Sequence, residues 1–275
     1  MNLIGTALGV ALLLTSGRAE AAFDPSFTAY GRLLHRVVHG PRVDYQRLTA
    51  DRAALDAVVA SFDDPATRAE ASWPPAQRLA FWINAYNVFT LQAIATHYPI
   101  RAGWFTLGPK NSIRRISGVW TKLTWHAAGR TLTLDDIEHD ILRRVLKDPR
   151  MHFAINCASK SCPPIAADPY VAATLDAQLD TAARRYLGSA AGLQVVDGTL
   201  HVSSILNWYN DDFIPGFARL APGGQTEGVR AVLGIVTTYG PPAAAEIARR
   251  AGAAVSYLPY DWSLNDLDRD PALRR

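Results

Sequence analysis

The apolar and polar positions along the chain predict helices at its beginning and short strands towards its middle. Residues 27–38 repeat apolar positions at helical spacing and stop before Gly40-Pro41. Residues 44–62 read as a second helix, with Leu48, Leu55, Val58 and Val59 on one side and Asp63-Asp64-Pro65 as its stop. Residues 77–97 carry Leu79, Phe81, Trp82, Val88, Phe89, Leu91 and Ile94 on every side, so this central helix is predicted to be buried all round. Asn84 and Asn87 share one face of it with Leu91. A buried amide without partners costs on the order of 1–3 kcal/mol, so these two must be bonded.

Residues 119–126 alternate, Ala127-Ala128-Gly129 turns, and residues 130–134 return, which predicts a hairpin. Thr133 then caps a helix over residues 134–146, with Asp135 and Asp136 in its first turn. Residues 152–157 read as a strand and 176–187 as a helix. Residues 193–202 read as a hairpin around Asp197-Gly198, a type I′ turn signal. Helices over 203–213 and 226–239, a strand over 255–262 and a polar tail complete the pattern. This order predicts an α+β fold, a buried central helix packed against a mainly antiparallel sheet.

The first residues add a leader to this picture. The apolar run 8–14 followed by Ala19-Glu20-Ala21 predicts a signal peptide over 1–21, an uncleaved anchor being the alternative. No cysteine lies near the cut, which excludes a lipoprotein anchor. Losing it removes one arginine and one glutamate and leaves the net charge at +3. The remaining chain, 22–275, is expected to be a single domain, periplasmic or secreted. Its positive charge is scattered, which argues against nucleic acid as a partner, and no second run suggests contact with a membrane.

The two cysteines, Cys157 and Cys162, stand in one short stretch with His152 and Asn156. In an oxidising compartment a disulfide between them is feasible. Two thiols alone do not make a structural zinc site, and metal binding by Glu138, His139 and His152 ranks lowest because their spacing matches no ligand pattern, so no metal is expected; no cofactor is expected either. On the helix over 134–146, Leu134, Ile137, Ile141, Leu142 and Val145 form the apolar stripe, and Glu138 falls inside it, about 40° from Leu134. A carboxylate there is either a site residue or half of a buried ion pair with Arg114, Arg115 or Arg150. His139 lies at the stripe's edge. A regular strand from His152 to Cys157 would hold the two on opposite faces, roughly 16 Å apart, leaving His139 or His126 as a base for the thiol. His35 and His39 read as surface residues, Ser203-Ser204 lacks a nucleophile elbow, and Gly223-Gly224 opens no phosphate loop.

Several of these segments together resemble one family. They are Ala80-Phe81-Trp82-Ile83-Asn84-Ala85-Tyr86-Asn87, Leu134-Asp135-Asp136-Ile137-Glu138-His139, Arg150 with His152 through Cys157, Ser161-Cys162-Pro163-Pro164, Asp212-Phe213 and Tyr260-Asp261-Trp262-Ser263-Leu264-Asn265. The chain resembles domain-of-unknown-function family 547, whose bacterial members are often exported single domains. The resemblance implies no activity. A looser likeness, to the papain and transglutaminase architecture, implies a central helix against a sheet and a strand bearing a histidine. That architecture puts its cysteine at the start of the central helix, where this chain has none.

Two functions follow. One is a domain binding a small polar ligand, peptide or partner protein, with Asn84, Asn87 and Asn156 in the site and a structural Cys157–Cys162 disulfide. The other is a thiol-dependent hydrolase or acyl transferase, with Cys157 as nucleophile, His152 or His139 as base and Glu138 as orienter.

Overall fold

The computed structural model describes residues 23–101 and 107–267, so the expected signal peptide lies outside the described residues, whereas the start of the expected polar tail is packed, with Leu264, Asn265 and Asp266 buried. Helix α1 (Thr28–Val37) buries Tyr30, Leu33, Leu34 and Val37. The strands β1 (Val38–His39) and β2 (Arg42–Val43) form a two-stranded ribbon around Gly40. The helix expected over 44–62 is two, α2 (Tyr45–Ala50) and α3 (Arg52–Ser61). Asp51 divides them. Its N–H closes α2 on the Arg47 carbonyl, and its own carbonyl accepts the first N–H groups of α3.

Helix α4 (Pro75–His97) starts on two prolines and is buried at every position from 79 to 91. Its two buried asparagines are each satisfied in pairs. Asn84 donates to the Tyr170 carbonyl at 2.7 Å and accepts the Tyr170 N–H at 3.0 Å. Asn87 donates to the Ala154 carbonyl at 3.0 Å and accepts the Asn156 N–H at 2.8 Å. Each amide therefore acts as a backbone substitute, pinning a non-regular segment to the helix.

The hairpin of β3 (Trp125–Ala127) and β4 (Arg130–Leu132) forms as expected but is shorter. Residues before Trp125 are drawn into a turn in which the Gly118 carbonyl accepts three N–H groups. Thr133 caps the next helix: its hydroxyl accepts the Asp136 N–H, and the Asp136 carboxylate returns to the Thr133 N–H. That helix, Asp136–Leu146, is a π-helix. With i→i+5 bonding, successive residues turn by roughly 80° rather than 100°. The narrower step keeps Leu134, Ile137, Glu138, Ile141 and Leu142 on the buried side and rotates Val145 away, leaving it 54% exposed. Val145 therefore does not belong to the stripe in which α-helical spacing puts it.

The segment after it is not a strand. Pro149–Phe153 is a 3₁₀ helix, and residues 154–157 continue as irregular chain. Without a strand, parity no longer places His152 and Cys157 on opposite faces. Helix α5 (Leu175–Leu187) leads to β5 (Leu193–Val196) and β6 (Thr199–Ser203), with Asp197 and Gly198 at positive φ as the I′ turn requires. Then follow α6 (Ile205–Trp208), α7 (Asn210–Phe217), α8 (Glu227–Tyr239) and α9 (Pro242–Ala248). The last strand, β7 (Val255–Leu258), pairs with β6 in parallel.

The architecture is mixed helix and sheet: the antiparallel β3–β4 hairpin lays Trp125 on Phe89 with ring centroids 5.4 Å apart, but the three-stranded sheet does not pack on α4. Its neighbours are α2, α3 and the π-helix, in one apolar cluster. The β5–β6–β7 sheet sits in a second cluster with α7 and α8. Helix α5 serves both, giving Leu175 and Leu179 to the first and Tyr186 and Leu187 to the second.

The π-helical register makes a direct prediction. Val145→Lys should change the unfolding free energy by less than about 0.5 kcal/mol, whereas Leu142→Ala should cost about 2–5 kcal/mol. Urea titrations of the two variants check it; a Val145→Lys cost matching that of Leu142→Ala contradicts the register.

Candidate functional site

The sharpest concentration of chemistry lies in a cavity of about 260 Å³ where the two clusters meet. Six pieces of chain line it: Tyr86 of α4; Trp120; Asp135, Glu138 and His139 around the π-helix; His152, Ile155, Cys157 and Cys162; Trp208 and Tyr209 around α6; and Tyr260 with Trp262 near the C-terminal end. Trp208, Tyr260 and Trp262 stack as one aromatic wall, with ring centroids 4.7–5.9 Å apart. Among the described residues, no Lys or Arg lines the cavity.

The thiols reach this cavity because Asn156 organises the loop that bears them. Held by Asn87 through its own N–H, Asn156 donates its side chain to the Pro163 carbonyl at 2.7 Å and accepts the Ala158 N–H at 2.9 Å. Ala158 has positive φ, which folds the loop back. The C-terminal segment then zips along it: Lys160 N–H bonds the Ser263 carbonyl, Ser161 N–H the Asp261 carbonyl and Asn265 N–H the Ala158 carbonyl. This brings Tyr260 over Cys157.

Cys157 Sγ lies 2.8 Å from Cys162 Sγ, 3.2 Å from Ser159 Oγ and 3.3 Å from the Tyr260 hydroxyl. Both cysteines are thiols here, so the expected disulfide is not formed in this structure. Cys157 is half-buried and Cys162 buried. The hydrogen bond with Cys162, joined by Ser159 and Tyr260, holds the Cys157 thiol below its ordinary range. Burial, with the neighbouring Cys157, pushes Cys162 up.

Glu138 is buried, as its position on the apolar stripe requires, and it takes part in no ion pair among the described residues. Its two oxygens accept the Tyr86 hydroxyl at 2.8 Å and the Tyr209 hydroxyl at 2.6 Å. Burial first, then the charge of Glu138, raises both phenols, so they remain donors. The arginines considered as partners are engaged elsewhere: Arg114 over Trp262, Arg115 with the Pro109 carbonyl, Arg150 with Asp148, Asp176 and Asp180.

His152 donates to Asp212. Its Nε2 lies 2.7 Å from Asp212 Oδ2, and Arg143 grips the same carboxylate with Nε at 2.6 Å and a second bond at 3.1 Å. Burial works to raise Asp212, but the bonds from His152 and Arg143 outweigh it and hold the carboxyl well below its usual range. Burial lowers His152 from its ordinary 6.5 against the pull of Asp212. A neutral imidazole donating through Nε2 leaves a lone pair on Nδ1, which makes no hydrogen bond to the described residues. His139 Nδ1, in contrast, accepts from Arg143 at 2.9 Å.

The structure thus brings Cys157, Cys162, His152, Glu138 and His139 to one cavity. Asn84, Asn87 and Asn156 do not line it; their bonds hold backbone. His126 is exposed on β3 and bonds Thr131 at 3.1 Å. Asp212, Tyr86, Tyr209 and Tyr260 were not foreseen as site residues. The signal for three of them was available, since Tyr86, Asp212 and Tyr260 sit inside the segments that carry the family resemblance. No group of three or more His, Cys, Asp or Glu that could hold a metal occurs among the described residues.

Residues 71–187 match the model of a family described as "Protein of unknown function, DUF547". No curated protein and no solved structure matches the chain, so no neighbour supports the papain-like comparison.

The buried His152 sets a pH dependence. The unfolded chain takes up a proton at this residue below about pH 6.5 while the folded state resists it, so stability falls as pH drops through that window. Unfolding free energies measured between about pH 7 and pH 5 should decline in the wild type and less steeply in His152→Gln. Equal slopes would contradict the assignment.

Proposed function

We propose a function from the premise that residues 71–187 belong to the domain-of-unknown-function 547 family: the aromatic cavity binds a small ligand or peptide side chain through a positively charged group. One observation carries this reading. Among the described residues, Glu138 presents a buried carboxylate without an ion-pair partner, in a cavity lined by Asp135 and aromatic rings but by no Lys or Arg. A desolvated carboxylate is stabilised by a cation that replaces lost water. The faces of Trp and Tyr attract the same charge, by about 0.5–2 kcal/mol per ring. Arg114 and Arg143 stack on Trp262 and Tyr209 without lining the cavity, so they do not fill it. Export of the mature chain belongs to the proposal, supported by the leader-like run at residues 8–14.

A second reading, a thiol-dependent hydrolase or acyl transferase, is favoured by His152. His152, whose Nδ1 makes no hydrogen bond to the described residues, and Cys157 line the same cavity, and Asp212 orients the ring. The contacts of Cys157 Sγ are Cys162, Ser159 and Tyr260 rather than this imidazole, which ranks hydrolysis second.

Tryptophan fluorescence separates the two. Titration with choline and with arginine should quench emission, and Glu138→Gln should weaken binding by about tenfold or more. Equal binding by the variant, or equal binding of acetate, would overturn the cationic reading. Ester hydrolysis that disappears in both Cys157→Ala and His152→Ala would favour the second.

A further inference from the structure

The two thiols are built unlike a structural staple. Both line the cavity, but Cys157 is half-buried whereas Cys162 is only 7% exposed. The loop between them is already closed by the Asn156 side chain and by backbone bonds to the C-terminal segment, so a covalent bond would add little constraint. A bond across so short a loop also removes the least chain entropy. What the arrangement does supply is reach. The sulfurs are 2.8 Å apart, and the usual 2.03–2.05 Å bond needs less than about 1 Å of movement.

We propose that Cys157 and Cys162 are the working pair of a thiol–disulfide exchange site whose substrate is a low-molecular-weight disulfide admitted to the aromatic cavity. Cys157 attacks as a thiolate, its proton having gone to solvent. Its sulfur bonds one sulfur of the substrate, the substrate's S–S bond breaks, and the first half leaves as a thiolate. Cys162 then gives up its proton to that leaving thiolate and attacks Cys157 Sγ. The Cys157–Cys162 bond forms, the mixed disulfide breaks, and the second half leaves and takes a proton from solvent. The substrate is reduced to two thiols and the protein dithiol is oxidised, two electrons passing between them. The Tyr260 hydroxyl, which accepts from Ser159 at 3.0 Å, lies 3.3 Å from the attacking sulfur, where it donates to the thiolate. The more buried sulfur, that of Cys162, resolves because it already lies 2.8 Å from Cys157 Sγ. The same pair run in reverse returns the dithiol at the expense of a small thiol.

The proposal is independent of the cationic ligand, so its probe is neutral. The reduced full chain is mixed with bis(2-hydroxyethyl) disulfide at neutral pH, quenched with acid and weighed intact. The wild type should lose the mass of two hydrogens, at least about tenfold faster than a cysteine peptide reacts. Cys162→Ser should stop at one hydroxyethylthio adduct, mapped to Cys157, with Cys162→Ala as the replacement if that variant fails to fold. Millimolar glutathione should reopen the bond in the native wild type. An adduct on Cys162, no adduct in either variant, or a bond that glutathione opens only after unfolding would overturn the proposal, the last by making the bond structural.

Discussion

The amide of Asn87 is the contact on which the site depends. It stands in the middle of a helix buried on every side, where an unmet donor or acceptor has no water to turn to. Its oxygen and nitrogen are met by the N–H of Asn156 and the carbonyl of Ala154. That pair of bonds fixes irregular chain against α4 and leaves the Asn156 side chain to fold the next loop upon itself. The thiols therefore stand where they do because a helix interior had to be satisfied. Asn84 repeats the device at Tyr170.

Three groups face the cavity, each held from behind by a different means. Glu138 is held by two phenols that burial keeps protonated. His152 is held by Asp212, which Arg143 clamps, and the ring lies on Tyr209 at 4.1 Å between centroids. Cys157 is held by hydroxyls and by a second thiol. Tyr209 links the first two, since one ring carries both the bond to Glu138 and the stack on His152. An imidazole that burial keeps neutral and a thiol held low are groups prepared for chemistry rather than for bulk stability.

Much of this was legible in the residues. The all-round apolar pattern marked α4, and the spacing that put Glu138 on a buried face was right even though the helix is π rather than α. The I′ turn at Asp197-Gly198 and the cap at Thr133 follow from local chemistry and were read correctly. What failed depended on longer-range competition. Val145 looked buried because α-helical spacing was assumed. Residues 152–157 looked like a strand because Phe153, Ala154 and Ile155 are apolar, but Asn87 claims their backbone bonds. Residues 44–62 carried a helical pattern through Asp51, whose backbone ends one helix and starts another. The tyrosines and Asp212 come from segments far along the chain, and only folding shows that they meet Glu138 and His152.

The most direct test of a prepared thiol is the pH dependence of Cys157 alkylation in the native reduced protein, followed by peptide mass mapping. The account predicts a half-maximal rate clearly below the ordinary thiol value of 9.0, with Cys162 unmodified over the same range. A half-maximal rate at or above that value, or labelling of both cysteines only on unfolding, would contradict it.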